Sequence, residues 1–281
     1  MAESLKKLLS ESGVTLKKAY GQNFLTDITL LDKIAEIPGA KKTDGVLEIG
    51  CGAGALTAAL ALRAGKVVGY EIDERLKPVL SRALSGTDNV TLVFKDIMKE
   101  SMESVERRMG GEYFLCANLP YYITTPIIMR FLEEAVFLRS MTVMVQQEVA
   151  ERLAAKPATP EYGAITVGVN LRGSAKIMLN VPKEKFTPVP KVDSAVVKIE
   201  IEKNKFAGAD LKEVRNVVRA GFSSRRKTLE NNLINIFKLP REKAAQAIER
   251  AGLKKGCRGE TLSAEDYVKL TEAIKNVRED R

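Results

Sequence analysis

The segment VLEIGCGAGALT, residues 46–57, joins an apolar run typical of a buried strand to a glycine-rich turn and the start of a helical pattern. Gly50, Gly52 and Gly54 allow the backbone to turn tightly and to approach a ligand without interference from side chains. Such a turn is typical of sites that bind a nucleotide-like cofactor. The turn alone does not identify the cofactor, because Gly50, Gly52 and Ala55 also fit the GxGxxA variant of the dinucleotide fingerprint.

Two carboxylates at the ends of later strand-like runs narrow the choice of cofactor. Glu71 lies 21 residues after Gly50, where an acidic side chain can bind ribose hydroxyls. Asp96 ends the third run, where it can accept a hydrogen bond from an adenine amine. Three strand ends would then contact an amino-acid portion, a ribose and an adenine, which are the parts of S-adenosylmethionine. Simpler explanations stay open: Glu71 could stabilise a helix N-terminus, and Asp96 could be an ordinary turn residue.

The fourth strand-like run ends in Asn118-Leu119-Pro120-Tyr121, which resembles the motif of methyltransferases that act on exocyclic amines of bases. An adenine amine is a poor nucleophile because its lone pair is delocalised into the ring. The Asn118 oxygen and the Leu119 carbonyl would accept hydrogen bonds from both amino protons and so free the lone pair. Pro120 would fix the turn that aims this carbonyl, and Tyr121 would offer a ring for stacking of an extruded base. Catalysis would come from alignment and preorganised polar groups, with a purely structural turn as the alternative.

The chain contains no histidine and three widely spaced cysteines, Cys51, Cys116 and Cys257. The lack of histidine excludes Ser-His-Asp and Cys-His nucleophile systems and histidine-ligated haem. We therefore expect the amine proton to leave to water and the chemical step to show no enzyme ionisation near pH 6.5. The cysteine spacing favours reduced thiols in a cytoplasmic protein and no metal site. A nucleophilic cysteine, as in RNA cytosine C5 methyltransferases, is not expected.

Seven short valine- and isoleucine-rich runs predict strands. They cover residues 46–49, 67–72, 90–94, 113–117, 141–145, 176–181 and 194–201. Helical spacing between the first five predicts right-handed crossovers and a parallel sheet covered on both faces. The last two runs have no helix between them, so we expect them to pair as a hairpin at the sheet edge. The pattern predicts a Rossmann-like α/β fold with a mostly parallel sheet.

From residue 209 onward every pattern is helical, which predicts two domains: a catalytic domain over residues 1–205 and a helical domain over residues 206–281. Residues 201–281 carry 19 basic and 12 acidic side chains, against 26 and 24 in residues 1–200. A basic helical end predicts a polyanionic partner, most often nucleic acid, although lysines that only keep the tail soluble are the alternative. The longest apolar stretch, residues 55–62, is too short to span a bilayer, so no membrane partner is expected.

Over nearly its full length the sequence resembles the rRNA adenine N6,N6-dimethyltransferases, and most closely the bacterial KsgA type that acts on small-subunit rRNA. The segments that carry the resemblance are YGQNFLTD (20–27), LEIGCGAGALT (47–57), EID (71–73), KDI (95–97), NLPYYITTP (118–126), FTPVPKVDSAVV (186–197) and FSSRRKTLENNL (222–233). The resemblance implies a class I S-adenosylmethionine-dependent methyltransferase fold with a small all-α C-terminal domain. It also implies S-adenosyl-L-methionine as methyl donor and S-adenosylhomocysteine as product. Cys51 departs from the proline expected in many relatives, which should change loop stiffness more than chemistry.

The resemblance further implies roles for individual residues. Around the cofactor it places Asn23 and Leu25 in a covering N-terminal segment, Gly50 and Gly52 beside the methionine part, Glu71 at the ribose, and Asp96 with Ile97 at the adenine. Asn118 would lie between cofactor and target base. Phe186 would form a second aromatic wall opposite Tyr121, so that the two rings sandwich the flipped adenine.

The predicted RNA contacts are basic residues in two places: Arg225, Arg226 and Lys227 beside a helix start, and Lys183 and Lys185 near the hairpin. Binding through such residues should weaken steeply with salt because it releases counterions, whereas a solvated surface is the alternative for the first cluster. The resemblance implies two adjacent adenosines in the 3′-terminal hairpin loop of 16S rRNA as substrate, each methylated twice. The RNA would be part of an immature small ribosomal subunit, with a role in its biogenesis, and the protein is expected to be a monomer.

Three other functions are alternatives to this one. An Erm-type enzyme shares the catalytic core but modifies 23S rRNA. Small-subunit rRNA is favoured as the substrate by the segment FSSRRKTLENNL and by the basic helical end. A non-catalytic assembly factor would keep the fold without turnover, which the intact segment from Asn118 to Tyr121 disfavours. A dehydrogenase is disfavoured because nothing resembles a hydride-transfer site.

Overall fold

The computed structural model describes residues 23–279. They form two compact units: one comprises the chain up to Ala150 with Ala175–Ile201, and the other comprises Glu151–Ser174 with the chain from Glu202 onward. The predicted boundary after residue 205 placed Glu151–Ser174 in the catalytic domain, and the structure corrects this. Residues 20–22 of the YGQNFLTD segment lie outside the described residues.

The first unit is built on a sheet of seven strands. In chain order the strands are β1 (Phe24–Leu25), β2 (Gly45–Ile49), β3 (Lys66–Glu71), β4 (Val90–Phe94), β5 (Tyr113–Asn118), β6 (Leu138–Gln146), β7 (Gly173–Val181), β8 (Phe186–Thr187) and β9 (Ser194–Ile201). The sheet order is β4-β3-β2-β5-β6-β9-β7, and β1 with β8 forms a separate two-stranded sheet. The strands from β2 to β6 pair in parallel, whereas β9 is antiparallel to β6. The predicted parallel sheet with an antiparallel edge is confirmed.

Six helices follow the strands of this part of the chain. They are α1 (Ile28–Glu36), α2 (Ala55–Ala61), α3 (Lys77–Ala83), α4 (Met102–Met109), α5 (Thr124–Glu134) and α6 (Gln147–Leu153). Side-chain caps fix two of the helix starts: Asp27 accepts from the Leu30 N–H, and Ser101 accepts from the Ser104 N–H. Helices α1 and α6 lie outside the gaps between the first five predicted strands, where helical spacing was expected, and so they were not predicted.

Strand β2 occupies the middle of the sheet, between β3 and β5. Val46 and Leu47 are fully buried, as expected for a parallel strand covered on both faces. Such strands are almost continuously apolar, so they could be predicted from the sequence. Glu48 is the exception, a carboxyl group buried in the interior of the strand.

The second unit is helical. Its helices are α7 (Ala164–Asn170), α8 (Leu211–Gly221), α9 (Leu229–Phe237), α10 (Arg241–Arg250) and α11 (Ala264–Glu279). Tyr162 is fully buried in its core with Val167 and Leu171, and the Tyr162 hydroxyl donates to the Leu262 carbonyl at 2.7 Å. These contacts explain why Glu151–Ser174 belongs here. Prolines interrupt this segment and α7 is short, so its helical character was not predicted.

Among residues 23–279, none of the helices is both long and apolar enough to cross a bilayer.

Candidate active site

The carboxyl ends of β2, β3, β4 and β5 open into a cleft of the first unit. The predicted cofactor and base residues that line it are Asn23, Leu25, Gly50, Gly52, Glu71, Asp96, Ile97, Asn118, Leu119, Pro120 and Tyr121. Ligands of open α/β sheets bind at this edge of the strands. The structure thus brings together eleven of the twelve residues predicted for cofactor and base.

The glycine turn after β2 forms one wall of the cleft. Gly50 and Gly52 have φ values of +80° and +55°, in the left-handed region where a side chain is strained. The Gly50 N–H donates to the Tyr70 carbonyl at 2.7 Å, which ties the turn to β3. A Cβ atom on Gly52 would lie 3.1 Å from Cε1 of Phe24. Glycine is therefore required both for the conformation of the turn and for the close packing of the N-terminal segment on it.

Glu71 ends β3 and braces the glycine turn. Its Oε2 atom accepts from the Gly52 N–H at 2.8 Å, and its Oε1 atom accepts from the Asp73 N–H at 2.9 Å. Burial raises the pKa of this carboxyl, and the backbone donors oppose the shift. Each oxygen keeps a further lone pair. The side chain can therefore accept hydrogen bonds from two hydroxyl groups of a ligand.

Asp96 lies in the loop that follows β4, and a side chain of helix α5 stabilises this loop. Its Oδ1 atom accepts from the Met98 N–H at 2.9 Å. The guanidinium of Arg130 donates to the carbonyls of Ile97 and Glu100. Arg130, on helix α5, thus stabilises the loop that carries Asp96. This helix follows the segment from Asn118 to Tyr121. Sequence reasoning missed Arg130, because one arginine in an amphipathic helix gives no signal of this contact.

Asn118 ends β5 and contacts the N-terminal segment. Its Nδ2 atom donates to the Asn23 carbonyl at 3.2 Å, which leaves the Oδ1 atom as an acceptor. The Pro120 carbonyl accepts from the Ile123 N–H at 3.1 Å and closes the turn. The Leu119 side chain is buried and anchors the same turn in the core. The backbone that carries these groups is therefore held in one conformation.

Tyr121 presents a half-buried ring to the cleft. Its hydroxyl lies 2.8 Å from Oγ of Ser194, at the start of β9, and either oxygen can donate. Burial raises the pKa of the phenol, so the phenol is neutral near pH 7. Tyr122, the next residue, also lines the cleft and is 63% exposed.

Phe186 is buried in the core and does not line the cleft. Its side chain is 2% exposed and lies in an apolar cluster with Leu25, Leu31 and Met144. Strand β8, which carries it, pairs with β1 so that Leu25 lies opposite Phe186. The structure therefore differs from the expectation that Phe186 forms a second aromatic wall opposite Tyr121, because the pairing of β8 with β1 buries this ring.

The two lysines near β8 differ in their contacts. The Nζ atom of Lys185 lies 2.7 Å from Oδ2 of Asp27, and this contact lowers the pKa of the aspartate. The Thr26 N–H donates to the Lys185 carbonyl at 3.2 Å. Lys183 is half-exposed, and its backbone N–H donates to Oδ1 of Asp193 at 2.9 Å. Lys185 therefore stabilises the N-terminal segment, a contact that the prediction of RNA binding did not anticipate.

The predicted basic cluster of the second unit is partly structural. The guanidinium of Arg225 donates to the Pro160 and Tyr162 carbonyls at 2.9 and 3.0 Å. Arg226 and Lys227 are exposed. Of the three residues, Arg226 and Lys227 are the better placed to bind phosphate.

A second basic loop lies beside this cluster. The Leu229 N–H donates to the Cys257 carbonyl at 2.8 Å, which joins the two loops. The exposed basic residues of the second loop are Lys254, Lys255 and Arg258. Sequence reasoning missed them, although the run KKGCR was a visible signal.

Glu48 is a further cleft residue that sequence reasoning missed. Its side chain is 1% exposed, and its Oε2 atom has no hydrogen-bond partner among the described residues. Burial, together with the charge of nearby Glu71, raises the pKa of Glu48 to about 8. The cleft thus contains an acidic group that a cationic ligand could ionise.

Cys51 and Cys116 are both buried, and burial raises the pKa of both thiols. A protonated thiol is a weak nucleophile. The structure therefore supports the expectation that neither cysteine is a nucleophile.

A family model described as ribosomal RNA adenine dimethylase matches residues 13–276. Among curated proteins, the Ribosomal RNA small subunit methyltransferase A of Shouchella clausii is 45% identical over 273 residues, which cover 95% of this chain and 92% of the relative. The protein of the same name from Bacillus licheniformis is 43% identical, with 97% and 96% of the two chains covered. These matches confirm the resemblance on which the site residues were predicted.

Two solved structures share the fold. A dimethyladenosine transferase from Plasmodium falciparum has a TM-score of 0.78 at 27% identity and covers 91% of this chain and 98% of its own. The 23S rRNA methyltransferase ErmE has a TM-score of 0.69 at 29% identity, with 90% and 100% covered. The predicted methyltransferase fold class is confirmed. The match over residues 13–276 and the nearly full-length relatives show that the chain is an enzyme of the ribosomal RNA adenine dimethylase family.

Proposed function

We propose that the protein uses S-adenosyl-L-methionine to dimethylate N6 of two adjacent adenosines in the 3′-terminal hairpin loop of 16S rRNA within the immature small ribosomal subunit. The observation that carries this proposal is the turn from Asn118 to Tyr121, which lies in the same cleft as the glycine turn and Glu71. The curated relatives named as small subunit methyltransferases support the choice of RNA. A substrate of this kind implies a cytoplasmic enzyme, and we infer that it acts as a monomer with a role in small-subunit biogenesis.

The residues of the cleft fit S-adenosylmethionine. Oε2 of Glu48 is a buried acceptor without a partner among residues 23–279, which suits the ammonium of the methionine part. Gly50 and Gly52 leave room beside the turn, Glu71 offers lone pairs to the ribose, and Asp96 with Ile97 lines the adenine end. Asn23 and Leu25 would cover the cofactor. When bound, this group supplies an activated methyl on a sulfonium, and S-adenosylhomocysteine is the product.

The chain's own residues prepare the amine. Oδ1 of Asn118 and the Leu119 carbonyl accept hydrogen bonds from the two N6 protons, and the Tyr121 ring stacks on the base. The bond from Asn118 to the Asn23 carbonyl fixes which end of the amide faces the amine. The proton leaves to water, so no histidine is needed. For Phe186 to stack on the opposite face, RNA binding must bring its ring out of the apolar cluster.

We assign catalysis to the first unit and RNA recognition to the second. Arg226 and Lys227, with Lys254, Lys255 and Arg258 from the adjoining loop, would bind phosphates in the second unit. Lys183 would add a contact from the first unit. Arg225 would act mainly by fixing its loop, since its guanidinium already donates to two carbonyls.

The deciding experiment is transfer of labelled methyl groups to immature small subunits, followed by nucleoside analysis. N6,N6-dimethyladenosine in the 3′-terminal hairpin is expected, and its absence would overturn the proposal. Methylation of naked 23S fragments instead would favour an Erm-type enzyme. We expect Asn118→Ala to reduce methylation at least 100-fold while leaving binding to the subunit unchanged. Unchanged methylation in this variant would favour a mechanism without Asn118, and subunit binding without methylation by the wild-type protein would favour a non-catalytic assembly factor.

A further inference from the structure

We propose that Ser194 is a positioning residue that sets the tilt of the Tyr121 ring on which the target adenine stacks. This inference rests on the proposed function, because it concerns how the base is held for transfer. Its basis is the hydrogen bond of 2.8 Å between the Tyr121 hydroxyl and Oγ of Ser194. Ser194 itself is fully buried and does not line the cleft, so it would act on the base through Tyr121.

Ser194 is well placed to be a fixed anchor. It begins β9 and pairs with Gln146 of β6 in an antiparallel register. The preceding residue, Asp193, accepts hydrogen bonds at two of its oxygens. Its carbonyl accepts from the Gln147 N–H at 3.0 Å, and its Oδ1 atom accepts from the Lys183 N–H at 2.9 Å. The backbone that carries the serine hydroxyl is therefore fixed relative to the end of β6.

Tyr121 needs an anchor because its backbone and its ring are fixed separately. The turn holds the backbone through the bond between the Pro120 carbonyl and the Ile123 N–H. That bond leaves the side-chain torsions of Tyr121 free. A hydrogen bond at the far end of the ring restricts both torsions. The stacking surface therefore keeps one orientation relative to the amide of Asn118, the last residue of β5.

The pairing of Ser194 is not a general property of buried hydroxyls in this sheet. Ser140 and Thr142, on β6, are also fully buried, and their hydroxyls have no hydrogen-bond partner among the described residues. Ser140 therefore provides a matched control: it is a buried serine of the same sheet whose hydroxyl makes no hydrogen bond to a described residue.

Ring tilt should matter most for the second methylation. After the first transfer, N6 carries a methyl group and only one proton, so one of the two acceptors loses its partner. The stacked ring then contributes more of the alignment. Loss of the Ser194 anchor should therefore slow the second transfer more than the first, and N6-methyladenosine should accumulate.

The test compares Ser194→Ala, Tyr121→Phe and the double variant, with Ser140→Ala as control and Ser194→Thr as the conservative replacement. Single-turnover methylation of immature small subunits is measured, along with the ratio of monomethyl to dimethyl product and the affinity for S-adenosylmethionine. We expect about a fivefold slower second transfer in each single variant. The double variant should be no slower than either single variant, because both remove the same bond. Cofactor affinity should be unchanged, and Ser194→Thr should restore the product ratio.

Several outcomes would overturn this role. They are effects that multiply in the double variant, an equal effect of Ser140→Ala, or a normal product ratio in Ser194→Ala. Tyr121→Phe removes the same bond from the other side, so the test does not depend on the folding of Ser194→Ala. If the wild-type protein makes no dimethyladenosine, the proposed function itself fails. An active wild type with unaffected variants overturns only the role of Ser194.

Discussion

Glu48 is a buried side chain that can bind a cationic ligand but lowers the stability of the folded protein. Its carboxyl lies in the interior of a central strand, and its pKa is raised to about 8 by burial. In the unfolded chain the same group has a pKa near 4.5. Between these values the folded protein keeps a proton that the unfolded chain releases, so the free energy of unfolding falls as pH rises from 4.5 to about 8.

Replacement of Glu48 by glutamine should therefore stabilise the protein at neutral pH. We expect Glu48→Gln to raise the free energy of unfolding by about 3 kcal/mol at pH 7 and by little below pH 4.5. Denaturant unfolding at a series of pH values measures this. Glu106 provides the contrast, because its Oε1 atom accepts from the Val136 and Phe137 N–H groups at 2.8 and 2.9 Å. Glu106→Gln should bring no stabilisation, and equal gains in both variants would contradict this account of Glu48.

The same variant should bind S-adenosylmethionine more weakly. The Glu48 carboxyl must release its proton to pair with the ammonium of the ligand, and the ammonium keeps its own protons. The affinity of the wild-type protein should therefore rise with pH up to about 8. Glu48→Gln should lower affinity about tenfold or more at pH 8 and should remove the part of the pH dependence that belongs to Glu48. Calorimetric titration in buffers of different ionisation enthalpy measures the proton release. Equal proton release by wild type and variant would exclude Glu48 as its source.

At the scale of elements, a strand or helix could be predicted when its sequence pattern lies within one contiguous segment of the chain. The parallel strands were predicted because each is an almost continuous apolar run. Strands β1 and β8 have two residues each, and only their pairing across the chain makes them strands. That pairing also explains the unexpected burial of Phe186. The cleft residues from Gly50 to Tyr121 could be predicted because they lie at strand ends, whereas Asn23 and Leu25 were predicted only through the family resemblance. Glu48, Arg130 and Ser194 depend on packing that no local pattern reveals.

The ion pair of Asp27 and Lys185 should hold the N-terminal segment over the cofactor. Asp27→Asn keeps an acceptor for the Leu30 N–H at the start of α1 and removes only the charge. We expect Asp27→Asn and Lys185→Gln each to weaken S-adenosylmethionine binding about two- to fivefold at low salt. The difference from wild type should shrink at high salt, because both side chains are partly exposed.

Comparison of the two variants separates this structural contact from RNA binding by Lys185. If the lysine binds phosphate, Lys185→Gln should weaken RNA binding while Asp27→Asn should not. If it serves the N-terminal segment, both variants should affect cofactor binding equally. The double variant should then be no weaker than either single variant.

At the scale of the whole molecule, most of the net charge of +9 belongs to the last part of the chain. The structure locates this charge more closely. Two loops of the second unit are joined by the hydrogen bond from the Leu229 N–H to the Cys257 carbonyl. Arg226, Lys227, Lys254 and Lys255 are exposed on these loops. Basic residues from separate parts of the sequence therefore form one surface, which a charge count could not show.

This surface makes a quantitative prediction for RNA binding. Each phosphate contact adds about 0.7 to 0.9 to the slope of log affinity against log salt concentration. Replacement of Arg226 and Lys227 by glutamine should therefore lower the slope by about 1.4 to 1.8. Replacement of Lys254 and Lys255 by glutamine should lower it by a similar amount. Titration of small subunits over a range of salt concentrations measures the slope. Lys275→Gln, an exposed lysine of α11, is the control and should leave it unchanged. A loss of affinity without a change in slope would mean that the loops act through the fold and not by binding phosphate.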